Sequence, residues 1–137
     1  MNITHYFRGT WSWQYYILHP WVYLSDLWKD ARAFIQRGRR GWADCDAWNF
    51  DDYLSDVLPA AIQYLRDISH SYPSIGDADT PEKWDAVLGK IARGFGAWKE
   101  IGDVDTDWHD EELMARLNKE HEEGMALFAE WFGHLWD

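Results

Sequence analysis

Apolar residues recur along most of this chain at intervals of three and four positions, which is the spacing of one face of an α-helix. The first such stripe is followed by the turn 37–41, where Gly38 is expected to end the helix. The pattern predicts a helix over 21–38. Its apolar stripe, expected to pack in the bundle, consists of Leu24, Trp28, Ala31 and Ile35.

A second helix is predicted from Asp46, acting as the N-cap, to about Ile68. Pro59 lies inside it and should kink it or break it into two pieces, because proline removes a helical hydrogen bond and clashes with the preceding turn. Turn-forming residues then predict a surface loop over 69–79. The inward positions of the second helix are Phe50, Leu54, Val57, Leu58, Ala61, Leu65 and Ile68.

The third and fourth helices follow the same spacing. Thr80 and Pro81 form the clearest helix start in the chain, since threonine is a common N-cap and proline suits the first helical position. The third helix should cover 81–100, with Gly94 among the glycines that would let another helix approach closely. The fourth should cover 107–136, with a stripe made by Leu113, Leu117, Gly124, Phe128, Trp131 and Leu135.

These elements predict an all-α fold, a small bundle of about four helices. Within residues 1–20, large apolar side chains occupy every second position from 11 to 17, which fits an extended arm or a short strand: Trp11, Trp13, Tyr15 and Ile17. The length of 137 residues suits one domain. The predicted organisation is therefore a single domain over 1–137, with an arm at 1–20 and a helical bundle at 21–137.

The composition of the chain predicts where the protein is located and how its charge is distributed. No apolar run approaches the length that spans a bilayer, and the N-terminus lacks the pattern of a secretory signal, so we expect a cytoplasmic protein with no membrane partner. Cys45 is the one cysteine. Residues 1–43 carry a net charge of +4 and residues 44–137 a net charge of −15. This balance argues against direct nucleic-acid binding, which depends on phosphate contacts.

One cluster of charged residues stands at the junction of these two segments. Asp44, Asp46 and Asp51 follow closely on Arg37, Arg39, Arg40 and Trp42. The aspartates could cap the second helix and pair with the arginines, or orient a ligand, or hold Mg²⁺ or Mn²⁺ as the catalytic residues of a phosphohydrolase. As a ligand site, the arginines would hold phosphate groups and Trp42 would stack on a flat base.

Two residues of the loop after the second helix extend the candidate ligand site. His70 could interact with a ligand or with the end of that helix, and Tyr72 could stack. His109, His121 and His134 lack zinc-motif spacing, and no nucleophile motif is present. The sequence therefore predicts no metal and no cofactor, and it favours a protein that is not an enzyme.

Three stretches of the chain resemble a family of small uncharacterised proteins encoded by tailed bacteriophages and prophages. The resemblance covers about residues 35–137. It rests on 40–54, on 82–88 and on 123–128 with the closing Leu-Trp-Asp. The family's pattern of a basic residue, glycine and an aromatic, followed by Asp-x-Asp-x-Trp and a further Asp, falls here on Arg40, Gly41, Trp42, Asp44, Asp46, Trp48 and Asp51. His70 and Pro73 match its His and Pro. The resemblance implies an accessory protein in the host bacterial cytoplasm, with no transferable activity.

Three hypotheses of function follow, and the basic and aromatic turn next to an otherwise acidic chain favours the first of them. The first is a non-enzymatic binder that sequesters a nucleotide-like host immune signal and so acts against host defence. The second is an acidic inhibitor that occupies a basic surface of a host nucleic-acid enzyme, using the acids of 103–123. The third is the metal-dependent phosphohydrolase. Exposed aromatic residues outside the stripes also predict a subunit interface, and hence a homo-oligomer.

Overall fold

A computed structural model describes residues 20–103 and 105–136, and every regular element in these ranges is helical. There are four α-helices: α1 (Pro20–Arg40), α2 (Phe50–Ile68), α3 (Pro81–Ile101) and α4 (Glu111–Trp131). Short 3-10 turns follow at Gly76–Ala78 and Phe132–His134. The all-α prediction with four helices is confirmed. The arm and short strand predicted for 1–20 lie outside the described residues, apart from Pro20, which begins α1.

The chain divides into two compact units, Met1–Trp48 and Asn49–Asp137. In the second unit α3 packs against both α2 and α4, because its apolar stripe is wide enough to serve two neighbours. Leu88 and Ile91 from α3 are almost completely buried. The core of this unit is formed by Ile62, Ala78, Trp84, Val87, Leu88, Ile91, Phe95 and Trp131.

The start of α3 agrees with the sequence. The Thr80 side chain accepts a hydrogen bond from the backbone N–H of Lys83 at 3.3 Å, and Pro81 occupies the first helical position. Two edge-to-face ring pairs then join α3 to α4: Trp84 with Trp131, at 5.6 Å between centroids, and Phe95 with Phe128, at 5.3 Å. Buried ring pairs of this geometry add to the gain from area burial.

The closest approach between α3 and α4 is made by two glycines. A Cβ atom built on Gly94 would lie 2.6 Å from the Cα of Gly124, and one built on Gly124 would lie 2.9 Å from the carbonyl oxygen of Lys90. No side chain fits in this space. The expectation that Gly94 lets another helix approach closely is therefore confirmed.

Three predicted details differ from the structure. The second helix begins at Phe50, not at Asp46, because the Asp46 carboxylate is engaged elsewhere and Asn49 takes the N-cap position. The helix also continues unbroken through Pro59. The fourth helix begins at Glu111 instead of 107, because Asp110 is its N-cap and accepts a hydrogen bond from the N–H of Leu113 at 2.9 Å.

In the first unit, α1 begins one residue earlier and ends two residues later than predicted, and it stops where Gly41 adopts a φ of +84°, a conformation that favours glycine. The prediction that its apolar stripe is inward is wrong. Trp21 is 81% exposed and Trp28 is 72% exposed, and Leu24 and Ile35 are also more than half exposed. None of the helices in the described ranges is long and apolar enough to span a membrane.

Candidate functional site

Asp46 is the best-connected residue of the predicted aspartate and arginine cluster. Its side chain is 0% exposed, and Arg37 binds both of its oxygens, with Nε donating to Oδ2 at 2.9 Å and Nη2 donating to Oδ1. The backbone N–H of Ala43 donates to Oδ2 at 2.7 Å. Burial raises the pKa of Asp46, but the Arg37 and Ala43 hydrogen bonds outweigh it and hold the pKa below its usual value.

Asp44 fastens the same loop to α1 from the surface. Its carboxylate accepts hydrogen bonds from Gln36 at 2.7 Å, from Arg32 at 3.3 Å and from Arg40, and its N–H donates to Gln36 Oε1 at 3.0 Å. The Arg40 hydrogen bond is the main cause of a lowered pKa at Asp44. The segment 42–46 is thus held along the polar side of α1 by ion pairs and hydrogen bonds.

The other predicted binding residues of this unit have mixed surroundings. Arg40 stacks on Trp42 with its guanidinium carbon 3.8 Å from the ring centroid, and its Nε donates to the Trp42 carbonyl at 2.9 Å. Arg39 forms no ion pair with any residue in 20–103 or 105–136. Two of the three arginines expected to hold phosphate, Arg37 and Arg40, therefore already have carboxylate partners.

Cys45 belongs to the same loop and is an exposed thiol. Desolvation raises its pKa, and the neighbouring Asp46 carboxylate raises it further. Because the thiolate is the reactive form, this environment lowers the reactivity of Cys45.

Asp51, the third aspartate of the proposed metal site, lies in the second unit. It stands in the first turn of α2, where its carboxylate accepts a hydrogen bond from Trp98 Nε1 at 3.2 Å. Within the described residues no group of three or more His, Cys, Asp or Glu side chains is arranged to hold a metal ion. The described geometry therefore gives no support to a catalytic Asp44, Asp46 and Asp51 set.

Trp98 also reveals a contact that the sequence did not predict. Its ring lies 4.7 Å from the ring of His121, whose Nδ1 is 3.2 Å from the carbonyl oxygen of Gly94. His121 has charged residues on both sides of it in the sequence, yet it is half-buried between α3 and α4. The four-residue spacing of Trp98 and Gly94 on α3 was the one sequence signal for this placement.

His70 and Tyr72 do lie together, in a pocket of about 100 Å³ in the second unit. Arg66 and Asp85 form one wall with two parallel hydrogen bonds of 2.7 Å each. The Arg66 hydrogen bonds lower the pKa of Asp85. Trp84 and Leu88 contribute the apolar side of the pocket.

The size of this pocket limits what it can hold. Sites for drug-sized ligands and cofactors have volumes of about 300–1,000 Å³, whereas this pocket is about 100 Å³. Its one guanidinium, that of Arg66, is bound to Asp85 on both sides of its fork. The pocket suits water or a small fragment better than a nucleotide.

A different surface carries unpaired charge. Between α3 and the first turn of α4, six carboxylates occur within ten residues, and none of them forms an ion pair with another residue of the described ranges. All of them are exposed. We call this the acidic surface, and its charged members are Asp103, Asp105, Asp107, Asp110, Glu111 and Glu112.

The described residues of the acidic surface are joined by local hydrogen bonds and include one large exposed ring. Asp103 accepts a hydrogen bond from the N–H of Asp105 at 3.1 Å, and Asp107 accepts one from the N–H of His109 at 3.0 Å. Trp108 is 61% exposed, while its Nε1 donates to the carbonyl of Asp103 at 3.5 Å. Short aspartate turns therefore hold a tryptophan ring in the middle of a negative field.

Comparison with protein-family models, with curated proteins and with solved structures found no match to this chain.

Proposed function

We propose that this protein is a non-enzymatic binding protein of a phage or prophage, and that its acidic surface occupies a basic surface of a host nucleic-acid enzyme. The observation that carries this proposal is the group of six exposed carboxylates around Trp108, which have no ion-pair partners in the described part of the chain. Such a surface is negatively charged, as nucleic acid is, and can therefore bind the basic surface with which a polymerase or nuclease holds its nucleic acid.

The contrast with the arginine cluster supports this choice of surface. Arg37 and Arg40 are bound to Asp46 and Asp44, so that the positive charges of these two arginines are neutralised within the unit. The charge from 103 to 112 is not compensated in this way. Uncompensated surface charge steers association with an oppositely charged partner and makes it sensitive to salt.

Trp108 supplies what charge alone does not. Tryptophan is enriched among the residues that carry most of the binding energy at protein interfaces, where it fills a pocket from which water is excluded. Its indole nitrogen donates a long hydrogen bond of 3.5 Å to the carbonyl of Asp103, which favours one orientation of the ring before binding. We infer that Trp108 is the anchor of the interface and that the carboxylates are its charged rim.

The two other hypotheses have less support. The nucleotide-like ligand of Arg37, Arg39, Arg40, Trp42, Asp46, His70 and Tyr72 stays a prediction from the sequence. The pocket beside His70 and Tyr72 does not support this hypothesis, because its volume is about 100 Å³ and its arginine, Arg66, is already paired with Asp85. The phosphohydrolase hypothesis lacks a cluster of metal ligands in the described residues.

The test is binding of the purified protein to the fraction of a bacterial extract that DNA-cellulose retains. We expect one or more proteins of this fraction to bind at low salt and to be released at high salt, and the DNA activity of the bound enzyme to be inhibited. Trp108→Ala should abolish binding. Asp105→Asn with Asp107→Asn and Glu112→Gln should weaken it strongly, because the field falls with the charge.

The matched control removes the same number of charges elsewhere on the second unit. Asp77→Asn with Glu82→Gln and Glu130→Gln changes three exposed carboxylates outside the acidic surface. Binding by this control should equal that of the unaltered protein. Equal loss in both triple variants would show a nonspecific charge effect, and salt-independent binding that survives Trp108→Ala would contradict the proposal.

A further inference from the structure

The exposed residues on one face of α1 are regularly spaced. They follow one another at steps of three, four, three, four and three residues: Trp21, Leu24, Trp28, Ala31, Ile35 and Gly38. This is the heptad spacing at which two helices pack along a shared seam. Around Gly38 there is open space, since a Cβ atom built there would meet nothing within 4 Å.

The large residues of this seam lie mostly in its first half and the small ones in its second half, an order that is complementary to itself when reversed. When the seam is laid against a second copy running in the opposite direction, with the twofold axis between Lys29 and Asp30, position n meets position 59 − n of the partner. Each tryptophan then meets a small residue, and the two branched aliphatic side chains meet each other. The layers are Trp21 with Gly38, Leu24 with Ile35, and Trp28 with Ala31, each occurring twice.

A parallel pair would not fit. Each residue would then meet its own copy, so that the layers at Trp21 and Trp28 would each contain two tryptophans, while those at Ala31 and Gly38 would contain two alanines and two glycines. Overfilled and empty layers are both destabilising. Antiparallel packing avoids both, and it also places the helix dipoles of the two copies in opposition.

The flanks of the seam agree with the antiparallel arrangement. On one side Leu27 approaches Phe34 of the other copy, and both are more than half exposed in the single chain. On the other side Ser25 approaches Arg32, so no like charges meet. The opposite side of α1 is occupied by the segment 42–46 through Asp44 and Asp46, which leaves the apolar side for a partner.

The area is adequate for a stable pair. A fully exposed aromatic side chain presents about 150–250 Å², and Trp21, Trp28 and Phe34 are each more than 70% exposed. Together with the aliphatic members, α1 presents an apolar surface approaching the roughly 800 Å² per partner of a standard interface. We propose that the occupant of this face is a second copy of the chain, which packs its α1 antiparallel to the first about a twofold axis between Lys29 and Asp30.

Sedimentation equilibrium of the full chain tests this proposal. The unaltered protein should have twice the chain mass of 16.3 kDa. Ala31→Trp should weaken self-association by about 100-fold, because it puts two tryptophans into both central layers. Trp28→Ala should also weaken it, by leaving both layers underfilled. Far-UV circular dichroism should show the same helix content in all variants.

The decisive measurement mixes the two single variants. In a mixed pair each central layer again contains one tryptophan and one alanine, so Ala31→Trp and Trp28→Ala should associate with each other more tightly than either does with itself. The double variant Trp28→Ala with Ala31→Trp should restore the dimer alone. Failure of both rescues would overturn the proposal even if the unaltered protein is a dimer.

Orientation is read from cysteine cross-linking in a Cys45→Ser background. Leu24→Cys mixed with Ile35→Cys should form a disulfide between copies, whereas Leu24→Cys alone should not. The reverse result would overturn the antiparallel register. If the protein is a monomer and Ala31→Trp destabilises it, the exposed face of α1 is covered by another segment of the same chain. If the protein is a monomer and sediments with anionic phosphatidylglycerol vesicles, the face binds a lipid surface. Either outcome would also overturn the proposal.

Discussion

The two units of this protein use the same kind of amphipathic helix in opposite ways. In α3 the stripe that contains Leu88 and Ile91 is almost completely buried between α2 and α4. In α1 a stripe of the same periodicity leaves Trp21 and Trp28 mostly exposed. The described order of the first unit comes instead from the polar side of α1, where Arg37 and Gln36 bind Asp46 and Asp44.

Hydrophobic periodicity therefore predicts which face of a helix will be buried, but it does not identify the segment or molecule that buries it. A stripe of three- and four-residue steps is equally suited to the core of its own unit and to a partner molecule. In the first unit the polar contacts fix the loop and leave the stripe available. A unit held by its apolar core and a unit held by ion pairs should therefore respond differently to mutation and to acid.

The largest expected effect is the removal of core volume from α3. Leu88→Ala should reduce the free energy of unfolding by about 2–5 kcal/mol, because the side chain is buried and its neighbours can collapse only partly into the cavity. Leu27→Ala on α1 removes the same atoms from a half-exposed position. Measured by urea denaturation at a concentration where the protein is monomeric, it should cost much less. Equal losses would mean that α1 is buried as deeply as α3.

The glycine contact between α3 and α4 comes next. Gly94→Ala should lower the free energy of unfolding by about 2–3 kcal/mol, since the new Cβ atom would lie 2.6 Å from the backbone of Gly124 and the helices would have to separate. Gly89→Ala on the same helix is the matched control. The nearest atoms to its Cβ atom would be those of the Arg66 guanidinium, at an ordinary contact distance of 3.6 Å, so it should stabilise the protein by about 0.5–1 kcal/mol through helix propensity. Thermal denaturation distinguishes the two signs.

A smaller and local effect is expected in the first unit. Asp46→Asn removes the charge that Arg37 binds, and it should reduce the protection of the 43–46 amides by about 1–2 kcal/mol in hydrogen exchange. Amides of α3 should be unaffected. Asp44→Asn, on the same loop but at an exposed position, should have a smaller effect. An equal loss of protection in α3 would contradict the division of roles between the units.

Acid should distinguish the units with the smallest perturbation. The pKa values of Asp44 and Asp46 are lowered in the folded protein, so their contribution to stability is present above the unfolded value of about 3.9 and is lost as the pH falls through the folded values. Amide signals of 43–46 should therefore broaden or shift below about pH 4, before those of Leu88 and Ile91. If the amide signals of Leu88 and Ile91 were lost first, the proposed difference between the two units would be wrong.

Much of the second unit could be predicted from the sequence because its signals are local. Thr80 and Pro81 specify the start of α3 by a side-chain cap and a fixed φ, and neither depends on a distant residue. The glycine at 94 marked a close approach for the same reason. The start of α2 could not be located in this way, because Asp46 has the chemistry of a helix cap and is used instead by Arg37, nine positions earlier.

The candidate sites depend even more on contacts between residues that are far apart in the chain. The sequence brought Arg37, Arg40, Asp44 and Asp46 into one cluster, and the structure joins them pairwise into ion pairs. It did not place His121 against Trp98 or pair Arg66 with Asp85, since these partners lie 23 and 19 positions apart. Whether a charge is left for a ligand depends on which opposite charge is near it in space.

By itself the sequence determined four helices, their approximate bounds, and the contrast between a basic beginning and an acidic remainder. These properties follow from the spacing, caps and charges of neighbouring residues. Only the tertiary structure decided which apolar faces are buried, which arginines are neutralised, and that the carboxylates around Trp108 have no ion-pair partners in the described residues. Burial and pairing are relations between residues far apart in the chain, and periodicity along one helix does not contain them.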